Sequence, residues 1–402
     1  MPATPSQPGP SQPAMQVPLL DLKPQYRPLA AEIQAVIEKV CASQGFILGP
    51  AVKEFEAAIC VYSQCKYGIG VSSGTDALLL ALMALEIGPG DEVITSPFTF
   101  FATAGTIARA GARPVFCDID PASFNLSSVS VAGFIASHCE RRGNDLINTL
   151  TGGRVKALMP VHLYGRTADM GPLMDLAREN RLRVIEDAAQ AIGAEDAQRR
   201  RACSFGDVGC LSFFPTKNLG AFGDAGMCVT NDAALAERMD ILRVHGGKPK
   251  YFHSFIGGNF RIDEIQAAVL NVKFKHLDEW TTGRQRNAAF YDAAFERAKL
   301  GDAVYPPQAA SGGRHIYNQY VIRAKDRDGL RAHMAAAGVG SEIYYPIPLH
   351  LQKCFEYLGY KAGDFPHSER AAEETLALPI FPELSETQLQ YVVDTIGQFY
   401  RV

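Results

Sequence analysis

From about Gly70 to Thr230 the chain alternates short apolar runs with stretches of helical period. The runs GIGVSS (68–73), DEVITSP (91–97), ARPVFCDID (112–120), VKALMPVHL (155–163), LRVIEDAA (182–189), DVGCLSFF (207–214) and GMCVT (226–230) have the length and apolar content of buried strands. Between them, DALLLALMALEIG (76–88) and MGPLMDLARENR (170–181) repeat apolar residues at helical spacing. Strands separated by helices predict a mostly parallel sheet covered on both faces. Residues 137–154, polar and glycine-containing, read as an extended surface loop. Beyond Arg261 the period becomes that of one long helix over 263–280, followed by a second through Arg297. A further unit then follows, in which NQYVIRA (318–324) and GSEIYYP (340–346) flank a helix over 326–338, and an amphipathic helix over 385–400 closes the chain.

Composition narrows this picture. At 402 residues the chain exceeds the size at which one core stops growing, so a large domain over 18–280 and a smaller one over 281–402 are expected. The first seventeen residues, rich in Pro, Ser and Gln, have no basic start followed by an apolar stretch, and they read as a disordered tail rather than a signal peptide. No run reaches the roughly 18 apolar residues of a membrane span. A net charge of −4, from 39 basic and 43 acidic residues with no dense basic run, argues against a nucleic-acid partner. The nine cysteines are odd in number and scattered, which fits reduced core thiols of a cytoplasmic protein and supplies no paired ligand set for a metal.

The candidate chemistry gathers at strand ends. In VSSGTDALLLAL a strand ends in small polar residues and a helix opens, so Ser73, Gly74 and Thr75 either cap that helix or aim its N–H groups at a phosphate. GIGVSSG is not a dinucleotide fingerprint: its first two glycines fall within the strand. The next acidic strand end, Asp118, lies 44 residues beyond Gly74 instead of about 20. No P-loop is present. Asp187 in RVIEDAAQAIGA either caps a helix or meets a ligand at the sheet's carboxyl edge. Lys217 in SFFPTKNLG, thirty residues later, is a surface charge if read alone. Read with Asp187, and with Phe100 in SPFTFFATA as a stacking ring, it completes the parts of a pyridoxal phosphate site: phosphate cup, aromatic, carboxylate and lysine.

At this point the sequence resembles the DegT/DnrJ/StrS sugar aminotransferases, with fold type I of the pyridoxal phosphate enzymes. The resemblance runs from VPLLDLKPQYRPL to LALPIFPEL and includes FILGP, SSGTDALLLAL, GPGDEVIT, PVHLYGR, EDAAQAIGA, GDVGCLSFFPTKNLG and IYYPIPLHLQ. It implies a central sheet sandwiched by helices, a smaller C-terminal α+β domain and pyridoxal 5'-phosphate as cofactor. It further implies that Lys217 forms the Schiff base, Asp187 pairs with the ring nitrogen and Gln190 approaches the ring hydroxyl. Ser73, Gly74, Thr75 and Ser212 would hold the phosphate, Phe100 would stack on the ring, and Asn259 would reach the phosphate from a neighbouring subunit of a homodimer. The substrates implied are L-glutamate and a nucleoside-diphosphate keto sugar. Candidate sugar-nucleotide contacts are His162, Lys248, Lys250, Tyr251, Arg261, Tyr344, Tyr345 and His350, with Lys248, Lys250 and Arg261 equally readable as surface charges. Tyr344 departs from the family, many members of which have histidine there. The stretch 245–270 is most similar to members acting on 3-keto sugars, with a 4-keto sugar as the alternative. Two rivals differ in class: a dehydratase of the same fold, which replaces the lysine by histidine, and a regulatory protein without transaminase activity.

Overall fold

The computed structural model describes residues 15–308 and 312–401. Nine strands form the main sheet: β1 (Tyr67–Val71), β2 (Asp91–Thr95), β3 (Arg113–Phe116), β4 (Cys139–Arg142), β5 (Asp145–Asn148), β6 (Arg154–Met159), β7 (Arg183–Asp187), β8 (Val208–Ser212) and β9 (Gly226–Thr230). Their order is β1-β9-β8-β7-β6-β2-β3, with β4 and β5 joined to the flank of β6. The pairs β2–β3, β2–β6, β6–β7 and β7–β8 are parallel, whereas β9 is antiparallel to both of its neighbours. Six strands therefore end on one edge, β1, β2, β3, β6, β7 and β8, and β9 begins there.

The seven expected strands all form. Residues 137–154 do not remain a loop: after a helix ending at His138 they fold into the β4–β5 hairpin, Cys139 opposite Asn148 and Arg142 opposite Asp145. Gly143, at φ 61°, supplies the left-handed turn, and Leu146 and Asn148 turn inward while Asp145 faces solvent. The polarity of the segment masked this alternation. The two helices expected over 263–280 and on through Arg297 both form, as Glu264–Phe274 and Leu277–Ala298, with the break at Lys275 and His276 instead of after Trp280.

Helix Gly74–Ala84 is apolar nearly all round, and it lies under β8 and β9 with Ala77, Leu78, Leu80, Ala81 and Leu82 buried. A second core joins the Leu277–Ala298 helix to a small antiparallel sheet of β10 (Val304–Tyr305), β11 (Tyr320–Ala324) and β12 (Thr375–Leu378). GSEIYYP is not a strand. The buried run Thr375–Leu378 pairs with β11 in its place, and Glu342 alone bridges to Ala377. Of the expected tail, residues 1–14 lie outside the described residues. Val17 is fully buried in the second core and exchanges backbone hydrogen bonds with Gly338 and Gly340.

Candidate active site

The shared edge of the six strands collects the predicted residues. Where β1 ends, Ser73 caps helix Gly74–Ala84, its Oγ accepting the Asp76 N–H at 3.0 Å. The Asp76 carboxylate accepts from the hydroxyls of Ser72 (2.6 Å) and Ser73 (3.0 Å). Gly74 and Thr75, in the first turn, have N–H groups without intrahelical partners, at the positive end of the helix dipole. A Cβ at Gly74 would stand 2.6 Å from Ser212 Cβ at the end of β8, and one on Gly226, opening β9, would meet the backbone of Ser73 and Gly74. The ends of β8 and β9 thus close on the first turn of this helix, where free N–H groups and the hydroxyls of Ser73, Thr75 and Ser212 would form a cup for an anion.

Asp187 ends β7 and is 5% exposed. Its Oδ2 accepts from Thr103 Oγ1 at 2.7 Å and its Oδ1 from the Ala189 N–H at 3.2 Å. Burial raises its pKa, opposed by those two hydrogen bonds and by the nearby Lys217 and His162. Lys217 lies in the turn after β8, its N–H donating to the Phe214 carbonyl at 2.9 Å. Burial lowers its ammonium to about 8, against the pull of Asp187. Although part of the side chain still reaches solvent, its immediate surroundings are protein. Asn218, next to it, donates to Ile316 O at 3.0 Å and accepts from Asn318 at 2.7 Å, which ties the lysine turn to the approach to β11.

Gln190 is locked on both sides: Oε1 accepts the Tyr164 N–H at 2.7 Å and Nε2 donates to Tyr345 OH at 3.0 Å. Tyr164 OH donates to the Tyr344 carbonyl, so both tyrosines of 344–345 are drawn to this edge. Phe100 is exposed, with its ring 6.1 Å from that of Tyr345.

The other expected contacts either reach this edge with no free group, join it through their backbone, or lie away from it. His162 is fully buried and saturated, Nδ1 accepting from the Ala168 N–H and Nε2 lying 2.9 Å from Glu186, so no ring nitrogen is left for a substrate. His350 is buried beside Phe365, with Nε2 3.0 Å from Glu369. Lys248 pairs with Glu237 at 2.8 Å and lines a cavity of about 490 Å³ with Tyr67, at the start of β1 and thus the opposite edge of the sheet. Lys250 lies over the exposed Tyr251 ring. Asn259 is exposed and bridges to Val244, and Arg261 pairs with Val71 at the end of β1. Sequence reading missed Thr103, Thr99, Tyr164 and Asn218. Thr99 and Thr103 did carry a signal, two hydroxyls at i and i+4 in the segment already chosen for Phe100. Among the described residues no cluster of three His, Cys, Asp or Glu could hold a metal, and no helix is long and apolar enough to cross a membrane.

A phosphate cup, a buried carboxylate and a lysine with depressed basicity on the carboxyl edge of such a sheet define a pyridoxal phosphate enzyme of aminotransferase fold. The sequence matches the model of the DegT/DnrJ/EryC1/StrS aminotransferase family over residues 28–397, and the chain belongs to that family. It is 51% identical over 387 residues, 96% of this chain and 99% of the relative, to a Geobacillus stearothermophilus protein named pleiotropic regulatory protein. It is 43% identical over 380 residues, 94% and 97% of the two chains, to the UDP-N-acetyl-3-dehydro-alpha-D-glucosamine 3-aminotransferase of Acidithiobacillus ferrooxidans. Its fold superposes on S. venezuelae DesV, solved in complex with a ketimine intermediate, with a TM-score of 0.88 at 38% identity, covering 96% of this chain and 99% of that one. The protein is an aminotransferase, and its cofactor is pyridoxal phosphate.

Proposed function

We propose that this aminotransferase moves an amino group from glutamate to a 3-keto sugar carried on a nucleoside diphosphate. The observation that carries the catalytic reading is the pair Lys217 and Asp187, one lowered in basicity and the other buried, on the sheet edge where β8 and β9 close on the start of helix Gly74–Ala84. The sugar and its 3-position rest on the relatives, one of which is named for a 3-dehydro UDP sugar.

Pyridoxal phosphate supplies the electron sink that makes a proton on an amine-bearing carbon labile. Lys217 Nζ, half neutral near pH 8, takes that proton and returns it on the other side of the exchange. Asp187 would keep a positive charge on the ring nitrogen, Gln190 would meet the ring hydroxyl, Ser73, Gly74, Thr75 and Ser212 would hold the phosphate, and Phe100 would lie against the ring. Tyr344 and Tyr345, drawn to this edge by Tyr164 and Gln190, would meet the sugar.

The active unit proposed is a homodimer. Phe100 and Phe101, in the segment that carries Thr103, and Phe214 and Phe222, either side of Lys217, are 47–56% exposed in the single chain, and Asn259 is exposed as well. In a dimer Asn259, Arg261 and the exposed stretch from Lys248 to Ile256 would serve the partner's site, Arg261 meeting the diphosphate. All nine cysteines are free, which supports a cytoplasmic location.

Borohydride reduction of the holoenzyme should fix the cofactor on Lys217, as read by peptide mass spectrometry, and a label on any other lysine refutes the assignment. With glutamate and a 3-keto nucleotide sugar the product should carry its amine at C3 by NMR. The 4-keto isomer should react about a hundredfold more slowly, a discrimination within reach of a carbonyl misplaced by about an ångström. Efficient amination at C4 would establish the 4-keto alternative. The 51% relative's regulatory name favours the second reading, a regulator without transaminase activity. Turnover of glutamate to 2-oxoglutarate by the pure protein would exclude it.

A further inference from the structure

We propose that Thr103 is a positioning residue for Asp187, and that a directed hydroxyl chain, Thr99 to Thr103 to Asp187, keeps this carboxylate ionised and aimed for a ring nitrogen. Thr103 Oγ1 lies 2.7 Å from Asp187 Oδ2, and Thr99 Oγ1 lies 3.0 Å from Thr103 Oγ1. Thr103 is fully buried, Thr99 is 2% exposed and Asp187 5% exposed, so water does not compete for these bonds.

The direction of the chain follows from donor chemistry. An ionised carboxylate can only accept, so the Thr103 hydroxyl must donate to it, and the Thr103 oxygen is then free to accept the Thr99 proton. Were Asp187 protonated on this oxygen, the chain would have to reverse, Asp187 donating to Thr103 and Thr103 to Thr99, and each bond would lose a charged acceptor or its support. Because a hydrogen bond accepted by an ionised carboxylate is the stronger one, the chain favours the charged state of Asp187.

Its frame is rigid. Thr103 sits in the first turn of helix Ala102–Arg109, its N–H donating to the Phe100 carbonyl at 3.2 Å, and its β-branched side chain has few rotamers. The segment that presents Phe100 thus also braces Asp187 from 84 residues away in sequence.

Titratable groups facing Asp187 come from every side: Lys217 from the turn after β8, His162 from the loop after β6, Tyr345 from beyond residue 340, and the buried thiols of Cys203 and Cys210. Glu186 precedes it on β7 but is spent on His162 and the N–H groups of Cys203, Phe205 and Gly206. Lys217 and His162 favour the charged form of Asp187. Burial opposes it, and the Thr103 hydrogen bond is the largest influence acting against burial.

The inference rests on Asp187 meeting the ring of pyridoxal phosphate, and the test separates the two. Thr103→Val, Thr103→Ser and Thr99→Val are compared with wild type in two measurements. The first is the dissociation constant of pyridoxal phosphate for the cofactor-free protein as a function of pH. The second is the division of any activity loss between kcat and KM for glutamate.

In Thr103→Val the pH below which affinity falls should rise by about one unit, the size of one hydrogen bond to a charged group. Its kcat should drop at least about tenfold while KM changes by less than about threefold. Thr103→Ser, which keeps the hydroxyl, should restore both. Thr99→Val, which spares the bond to Asp187, should shift the limb in the same direction by a smaller amount, and it decides the matter if Thr103→Val does not fold. An acid limb unmoved in the valine variants, or a serine variant as impaired as the valine one, overturns the chain. Failure of the wild-type protein to bind the cofactor through Lys217 overturns both readings, and only that result touches the cofactor.

Discussion

Lys217 and Lys273 are two ammonium groups in one neighbourhood, both lowered by burial to about 8. Lys217 faces the carboxylate of Asp187. Lys273 donates to the carbonyl of Gly220, three residues beyond Lys217, and stands 5.7 Å over the Phe222 ring. A lysine with a depressed folded-state pKa makes its full contribution to stability above its ordinary value of 10.5 and loses it as pH falls through about 8. Cofactor-free protein should therefore melt higher as pH rises from 8 towards 10.5. In Lys217→Met the melting temperature should exceed wild type at pH 7, with a margin that shrinks over the same window. The rise that remains in this variant belongs to Lys273. Calorimetric scans across that range check it, and a margin independent of pH would show that Lys217 is not desolvated.

At the scale of elements, the cup is made by the approach of β9 to the start of helix Gly74–Ala84, and the approach is close because Gly226 has no side chain. A Cβ there would lie 2.7 Å from Gly74 N and closer still to the Ser73 carbonyl, so helix start and strand would have to part. Gly226→Ala should weaken pyridoxal phosphate binding by at least about tenfold, roughly the loss of one charge-assisted hydrogen bond. Gly209→Ala is the control. Its Cβ would meet Cys203, 2.6 Å from Cα, on β8 but away from the cup, so it should lower stability while leaving the affinity of the folded protein within about twofold. Equal losses of affinity in the two variants, by titration of cofactor-free protein, would mean that general loosening of the sheet, not the cup, is being measured.

On the scale of the whole molecule, exposed Phe214 and Phe222 flank Lys217 along the chain, and Asn259 lies on the same chain's surface beside Val244. Two cavities of about 570 and 680 Å³ lie elsewhere, one lined by Arg166, Asp169 and Asp196, the other by Pro24, Trp280 and Glu383, and neither includes Lys217 or Asp187. A face of that kind around a catalytic edge fits closure by a second copy. Asn259→Ala and Lys217→Ala proteins, each inactive alone, should regain up to about half of the wild-type activity per heterodimer when their subunits are exchanged, because one complete site forms in each. Absence of recovery after exchange has been verified by mass spectrometry would place Asn259 outside the partner's site.

Much of this architecture was legible in the chain because it rests on local rules. The apolar runs were buried strands wherever their residues suited both faces of a parallel sheet, and Ser73 was a helix cap by its residue type and position. Where a polar surface hid the alternation, as in the β4–β5 hairpin, or where two segments competed for one partner, as GSEIYYP and Thr375–Leu378 did for β11, local pattern was not enough. Most of the motif residues could be named from the sequence as well, since they stand at or just beyond the end of a strand. Which of them meet was decided only by the order of strands in the sheet. That order brings the ends of β1, β7 and β8 to one edge, sends Lys248 to the other, and turns His162 inward to Glu186. The same packing joins Thr103 to Asp187, a bond between positions 84 residues apart that no spacing rule contains. Sequence set the chemistry available at each strand end, and tertiary structure chose the contacts, because burial and desolvation depend on every segment packed around a group rather than on its neighbours in the chain.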